Sequence, residues 1–211
     1  MKIEKKVLKI LDALKEAMPG AKVELDFKTP LELLIATMLS AQCTDKRVNI
    51  VTPALFKRYI DAAAFADADQ AELENLISSI NFFRNKVRAI KAAATIIRDE
   101  LSGLVPDNLE GLTRLPGVGR KTANIVLAQA FGVPAIGVDT HAKRVAARLG
   151  LTANTNPDKI EADLCALIPR DRWIEANTLI ILHGRRTCKA KRPLCAQCPI
   201  IELCDFDSKV I

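Results

Sequence analysis

Four cysteines near the C-terminus, Cys188, Cys195, Cys198 and Cys204, fall within 17 residues, separated by gaps of six, two and five. Four thiolates suit either a tetrahedral zinc ion or a cubane iron–sulfur cluster. Zinc sites usually pair two short Cys–Cys knuckles, and here only one short gap exists, so the spacing mildly favours the cluster. Cys43 and Cys165 stand alone. The opening residues, Met-Lys-Ile-Glu-Lys-Lys, lead into no apolar stretch with a small-residue cleavage site. With no secretory signal, metal ligation is expected ahead of a disulfide framework.

A second stretch with chemical content is Leu115-Pro116-Gly117-Val118-Gly119-Arg120-Lys121-Thr122. Asp107 with Glu110 is expected to form a capping box that starts a short helix before it. Pro116 stops that helix, and the glycines permit a tight turn into a longer one. The product is a helix–hairpin–helix. Without side chains at Gly117 and Gly119, backbone N–H groups can approach a phosphate at a helix N-terminus, with Arg120 and Lys121 adding charge. The plainer alternative is a packing turn between helices. Lys121 lies in a first turn, where the positive end of the helix dipole disfavours a further positive charge and pushes modestly toward a nucleophilic amine. Its plainer alternative is a solvated surface lysine. In Gly137-Val138-Asp139-Thr140-His141, Asp139 is either a helix N-cap or a carboxylate partner for such an amine.

The elements that must position these residues read as helices almost throughout. Ile3, Val7, Ile10, Leu11 and Leu14 form one apolar stripe, closed by Pro19-Gly20. Thr29-Pro30 opens a second helix with Glu32 in its first turn. Residues 46–58 look helical, with Pro53 kinking or starting the segment. Val87, Ile90, Ala94, Ile97 and Leu101 repeat at helical spacing until Ser102-Gly103, and Ala123, Val126, Leu127, Ala130 and Phe131 do so until Gly132-Val133-Pro134. Further helices are predicted at 140–149, 157–167 and 172–183. No stretch alternates long enough for a sheet, and no repeat or low-complexity linker is present. Pro19-Gly20 and Gly132-Val133-Pro134 are the boundary candidates, and connections this short argue for two lobes rather than beads on a string.

Composition sets the partners. The chain has 211 residues, 49% of them hydrophobic, enough to bury a core without disulfides. Its longest apolar run, Leu33 to Ala41, is too short to span a bilayer. The net charge is +6, which suggests an acidic partner, most often nucleic acid. Residues 181–200 carry Arg185, Arg186, Lys189, Lys191 and Arg192 and no acid, whereas residues 61–80 carry five acids and no base. The reading is a cationic face from the second half of the chain opposed by an acidic back, against ordinary solvated faces.

Taken together, these stretches resemble the endonuclease III family of bifunctional DNA glycosylases over essentially the whole chain. Leu115 to Ala123 resembles the family's hairpin with its catalytic lysine, Val138-Asp139-Thr140-His141 its catalytic aspartate segment, and the cysteine spacing its [4Fe–4S] pattern; Leu39-Ser40-Ala41-Gln42-Cys43-Thr44-Asp45 resembles a further signature. The resemblance implies an all-α, two-lobed helix–hairpin–helix DNA glycosylase fold. A six-helix bundle lobe would span about 23–133, with the hairpin at about 107–131. A cluster lobe would join 1–22 to 134–211, with the [4Fe–4S] loop at 188–204.

The same resemblance implies double-stranded DNA carrying oxidised or ring-damaged pyrimidines, or abasic sites, as the partner of a cytoplasmic, nucleoid-associated, prokaryotic-looking monomer with no membrane contact. It assigns catalysis to Lys121 and Asp139, and DNA contacts to Gly117, Val118, Gly119 and Arg120. Cys188, Cys195, Cys198 and Cys204 would hold the cluster, which scaffolds a phosphate-binding loop carrying Lys189, Lys191 and Arg192. Gln42 would fill the space left by a flipped base, and Phe82 would wedge the opposite strand. For Phe82 and Phe83 the alternative is core packing, and at least one of them is expected in the core. A monofunctional glycosylase, a DNA-binding module without chemistry and a zinc-stabilised scaffold are the rival readings.

Overall fold

In a computed structural model, which describes residues 2–210, the chain is helical, with no strand among the described residues. It divides into two compact units, Glu24–Val133 and the pair Met1–Val23 with Pro134–Ile211.

The unit Glu24–Val133 is built around α2 (Pro30–Ser40). The Thr29 hydroxyl accepts from the Glu32 N–H at 3.2 Å, and Pro30 occupies the first helical turn, as the sequence predicts. Every residue from Leu33 to Leu39 is buried, as expected of a helix that is apolar all round. It packs against α3 (Asp45–Arg58), α6 (Phe83–Glu100) and α8 (Arg120–Ala130). Pro53 lies inside α3 and does not start it. The stripe Val87, Ile90, Ala94 and Ile97 of α6 is buried, and the helix stops where Ser102 and Gly103 take φ of 52° and 79°.

Two short helices, α4 (Ala62–Asp67) and α5 (Gln70–Leu76), have no counterpart in the sequence reading. Neither is long enough to show a period. Their N-caps are Asp61 and Asp69, each accepting a backbone N–H at 2.8 Å. Two of the five acids read as a solvated face are therefore caps. The short helix before the hairpin is α7 (Leu109–Thr113), and its cap corrects the expected box. Asn108, not Asp107, accepts from the Gly111 N–H, at 2.8 Å. Asn caps as well as Asp, and Asn108 holds the extended backbone, φ −137° and ψ 156°, that the capping position needs.

The other unit gathers α1 (Ile3–Ala17), α9 (Thr140–Arg148), α10 (Pro157–Leu167) and α11 (Trp173–Arg186) around one core. Val7, Ile10, Leu11 and Leu14 of α1 are fully buried with Val145, Ile160, Leu164 and Ile180; Ile3, at the start of the stripe, is exposed. α9 and α11 lie against each other at Gly184, where a Cβ would come within 2.9 Å of His141 Cβ and 3.1 Å of Val145 Cγ2. Only a glycine allows that approach. Beyond α11 the chain carries two single 3-10 turns, Cys195–Gln197 and Ile201–Leu203.

Candidate nucleic-acid interface and cysteine site

Within the unit Glu24–Val133, the two hairpin glycines separate by role. Gly117 has φ +79°, and a Cβ there would meet Ala89 Cβ at 2.8 Å and Met38 Cε at 3.1 Å. The internal packing accounts for it, as the plainer reading of the hairpin supposed. Gly119 has φ −89°, and a Cβ would meet nothing within 4 Å. Neither backbone geometry nor packing within the chain demands a glycine there. Gly119 is also the N-cap of α8 and offers no side chain to the helix's first N–H groups. α2, α3, α4, α5, α7, α9 and α10 have side-chain caps, whereas α1, α6 and α11, like α8, have none. An uncapped N-terminus presents free donors and the positive end of the dipole. Val118 is buried beneath this turn, Arg120 is exposed, and Lys121 is half-buried as the second residue of α8.

In the same unit, Gln42 and Phe82 sit on neighbouring loops. Both have left-handed backbones, φ 56° and 58°, rare for residues with a Cβ. Both are exposed, Phe82 at 62% of its surface. Phe83 is half-buried, with the Arg84 guanidinium 4.7 Å over its ring. Neither phenylalanine is in the core, contrary to the expectation that at least one would be. The start of α6 turns Phe82 outward and leaves Phe83 at the rim. The loops are tied together by two residues that the sequence reading did not single out. The Asn81 amide donates to the Gln42 carbonyl at 2.7 Å. The Lys86 ammonium donates to the Leu39 and Ala41 carbonyls, each at 2.6 Å. Burial holds Lys86 below the usual lysine range, with the neighbouring Cys43 acting in the opposite direction.

In the other unit, Asp139 is the N-cap of α9, its Oδ1 accepting from the Ala142 N–H at 2.7 Å. This is the plainer role, and it leaves the other oxygen of a half-buried carboxylate for further use. The thiols of Cys188, Cys195, Cys198 and Cys204 line one cavity with Pro193, Leu194, Ile200 and Phe206. Among the described residues, no three His, Cys, Asp or Glu side chains converge closely enough to hold a single metal ion. Four cysteines around one cavity suit either a cubane cluster or a tetrahedral zinc ion, and their spacing along the chain mildly favours the cluster. Burial pushes the Cys198 thiol up, and ligation to iron would reverse that.

Two arginines of α9, one turn apart, hold the cysteine segment, and the sequence reading missed both. Arg144 donates to the Gly184 carbonyl at 2.8 Å and to the Cys188 carbonyl at 3.0 Å. Arg148 donates to the Lys189 carbonyl at 2.8 Å, the Ala190 carbonyl at 3.2 Å and the Cys188 Sγ at 3.4 Å, and stacks 4.2 Å over Phe206. Their spacing of four on one helix face was the available signal. The loop backbone is pinned while Lys189, Lys191 and Arg192 stay exposed, Arg192 with φ 51°.

An all-helical fold with an uncapped hairpin helix and a four-thiol loop defines a class. Residues 35–170 match the HhH-GPD superfamily base excision DNA repair protein family, and the chain belongs to it. Within that class its likeness is to the endonuclease IIIs. It is 53% identical over 202 residues to Endonuclease III of Synechocystis sp., covering 95% of this chain and 92% of that one. It is 40% identical over 205 residues to Endonuclease III of Escherichia coli K12, with 97% of each covered. Among solved structures, a trapped endonuclease III–DNA covalent intermediate superposes with a TM-score of 0.92 at 42% identity, covering 97% of this chain and 96% of that chain. A thermostable thymine-DNA glycosylase at 22% identity shares the fold, with a TM-score of 0.85. No helix among the described residues is long and apolar enough to cross a membrane.

Proposed function

We propose the following working parts for this DNA glycosylase and abasic-site lyase. The substrate is duplex DNA carrying an oxidised or ring-damaged pyrimidine. The uncapped start of α8, with Lys121 at its second position, carries the reading. The backbone N–H groups at this helix start, which has no side-chain cap, hold a backbone phosphate together with Arg120, and this sets the reach of Lys121 to the adjoining sugar. A base inside a duplex is out of reach, so it is extruded at a cost of roughly a few kcal/mol. Gln42 fills the vacated space, and Phe82 wedges the opposite strand.

The Lys121 amine attacks C1′. The bond from C1′ to the base breaks, and the base leaves with a proton. Asp139 supplies the negative charge that the developing cation on the sugar demands. Ring opening gives an imine between Lys121 and C1′. Loss of a C2′ proton then expels the 3′ phosphate by β-elimination, which nicks the strand 3′ to the lesion. Cys188, Cys195, Cys198 and Cys204 hold a [4Fe–4S] cluster. When bound, it would cross-link the loop through the four thiolates, since neither base displacement nor β-elimination requires an electron. Lys189, Lys191 and Arg192 meet DNA phosphates from the loop that Arg144 and Arg148 fix.

Covalent trapping is the test. The protein is mixed with an end-labelled duplex carrying one thymine glycol, and borohydride is added, with Lys121→Ala alongside. The expected result is a trapped adduct from the wild type alone, and a nick when borohydride is omitted. Base release without adduct or nick would assign monofunctional chemistry. Binding without release of any damaged pyrimidine would overturn the reading.

A further inference from the structure

Gln42 and Phe82 come from different parts of the chain, one past the end of α2 and the other at the start of α6. Both tips are exposed and hold left-handed backbones that isolated loops would rarely keep. The contacts that fix them are local and polar. Asn81, next to Phe82 in the chain, donates its side-chain amide to the Gln42 carbonyl at 2.7 Å. Lys86, in the first turn of α6, donates to the Leu39 and Ala41 carbonyls at the end of α2. Those carbonyls have no intrahelical donor and lie at the negative end of the helix dipole, so an ammonium satisfies both demands.

We propose that Asn81 and Lys86 are positioning residues that lock the Gln42 and Phe82 loops into one pre-assembled insertion unit, so that both tips enter DNA in register. The proposal rests on the reading that Gln42 and Phe82 enter the duplex. Lys86 bolts the ends of the two helices together. Asn81 carries the link out to the tip, bridging from the residue beside Phe82 to the backbone of Gln42. Filling the vacated space competes with re-stacking of the base, and a filler out of position by about 1 Å can lose on the order of a hundredfold in rate. Asn81 is itself exposed, so its removal takes the link without opening the core.

The experiment is a double-mutant cycle on the full chain with Asn81→Ala, Gln42→Ala and the pair. Single-turnover base release is measured from a thymine glycol duplex at saturating enzyme. An aminopurine opposite the lesion reports unstacking by its fluorescence. Each single variant is expected to be slower by about tenfold, with a smaller fluorescence rise. The pair is expected to lose clearly less than the product of the two single losses, because part of the effect of Asn81 runs through the Gln42 side chain and the rest through Phe82. Melting temperatures should agree within about 2 °C, as for exposed positions. If Gln42→Ala is slow and Asn81→Ala runs at the wild-type rate, the positioning role is wrong and the insertion reading survives. If the two losses multiply in the pair, Asn81 acts elsewhere and the proposal falls. If Gln42→Ala itself runs at the wild-type rate, the insertion reading fails and takes the proposal with it.

Discussion

The two hairpin glycines make opposite demands, and a pair of alanine substitutions separates them. In Gly117→Ala the new residue must hold φ +79°, at a cost of about 1–2 kcal/mol for the left-handed backbone. Its methyl also meets Ala89 Cβ at 2.8 Å and Met38 Cε at 3.1 Å. Overpacking of that kind costs about 1–3 kcal/mol. The lost freedom of the unfolded chain returns roughly 0.4–1 kcal/mol. The net is about 2–4 kcal/mol, or a fall of about 5–15 °C in melting temperature for a chain of this size. In Gly119→Ala the backbone, at φ −89°, suits any residue, and the methyl meets nothing within 4 Å. Alanine is a poorer N-cap than glycine by under about 1 kcal/mol, which the same entropy effect offsets. Its melting temperature should stay within about 2 °C of the wild type. A methyl where a phosphate must approach should weaken DNA binding by about tenfold, or roughly 1.4 kcal/mol. Thermal melts by circular dichroism give the first quantity. Fluorescence anisotropy on a duplex with a stable abasic analogue, at several salt concentrations, gives the second. Wild-type affinity in Gly119→Ala would refute the reasoning about the open turn. A wild-type melt in Gly117→Ala would refute the packing account.

Two further outcomes are expected. Asp139→Asn keeps an oxygen to accept from Ala142 N–H and should melt like the wild type, while its base release slows by about 10²–10⁴. Asp139→Ala loses the cap as well, at about 1 kcal/mol, and should melt about 2–4 °C lower; wild-type turnover in the Asn variant would remove Asp139 from the chemistry. The Asp163 carboxylate is held below its usual range by hydrogen bonds from Thr152 and from Asn154, the latter at 2.8 Å. The unfolded chain therefore takes up that proton first. The contribution is complete above about pH 4 and is lost as pH falls through the lowered native value. In Asp163→Asn, the decline of melting temperature below about pH 4 should be shallower than in the wild type. An identical acid limb would show that those hydrogen bonds do not couple to stability.

The long helices were legible because each buries a stripe. Val7, Ile10, Leu11 and Leu14 stand at the spacing one buried face requires, and they are fully buried. The start of α2 was legible because Thr29, Pro30 and Glu32 each answer a demand of a helix N-terminus. α4 and α5 were not, because under two turns no period develops and their Asp caps look like ordinary surface acids. The cap of α7 went to Asn108 because two adjacent residues could serve and only backbone geometry chooses between them. Types and spacing pointed to a hairpin and a four-thiol loop. They held no sign of Asn81, whose contact joins positions 39 residues apart, or of the partners of Arg144, which lie 40 and 44 residues away. Such pairings exist only once the helices are packed.

Backbone strain offers a line of argument independent of side-chain chemistry. Among the described residues, four that are not glycine have positive φ: Gln42, Phe82, Ser102 and Arg192. Ser102 has a structural account, since with Gly103 it stops α6. Of the other three, Phe82 is the N-cap of α6 and Gln42 and Arg192 are loop residues; all are exposed, and each carries a cost of about 1–3 kcal/mol. All three are positions where the sequence, read through its family resemblance, expects contact with DNA. The cost is sustained by hydrogen bonds around them: Asn81 and Lys86 beside Gln42 and Phe82, and Arg148 on the Lys189 and Ala190 carbonyls just before Arg192. Replacing Asn81 should therefore relax the loop tip rather than unfold the unit, so the change should register in base release before it registers in the melt.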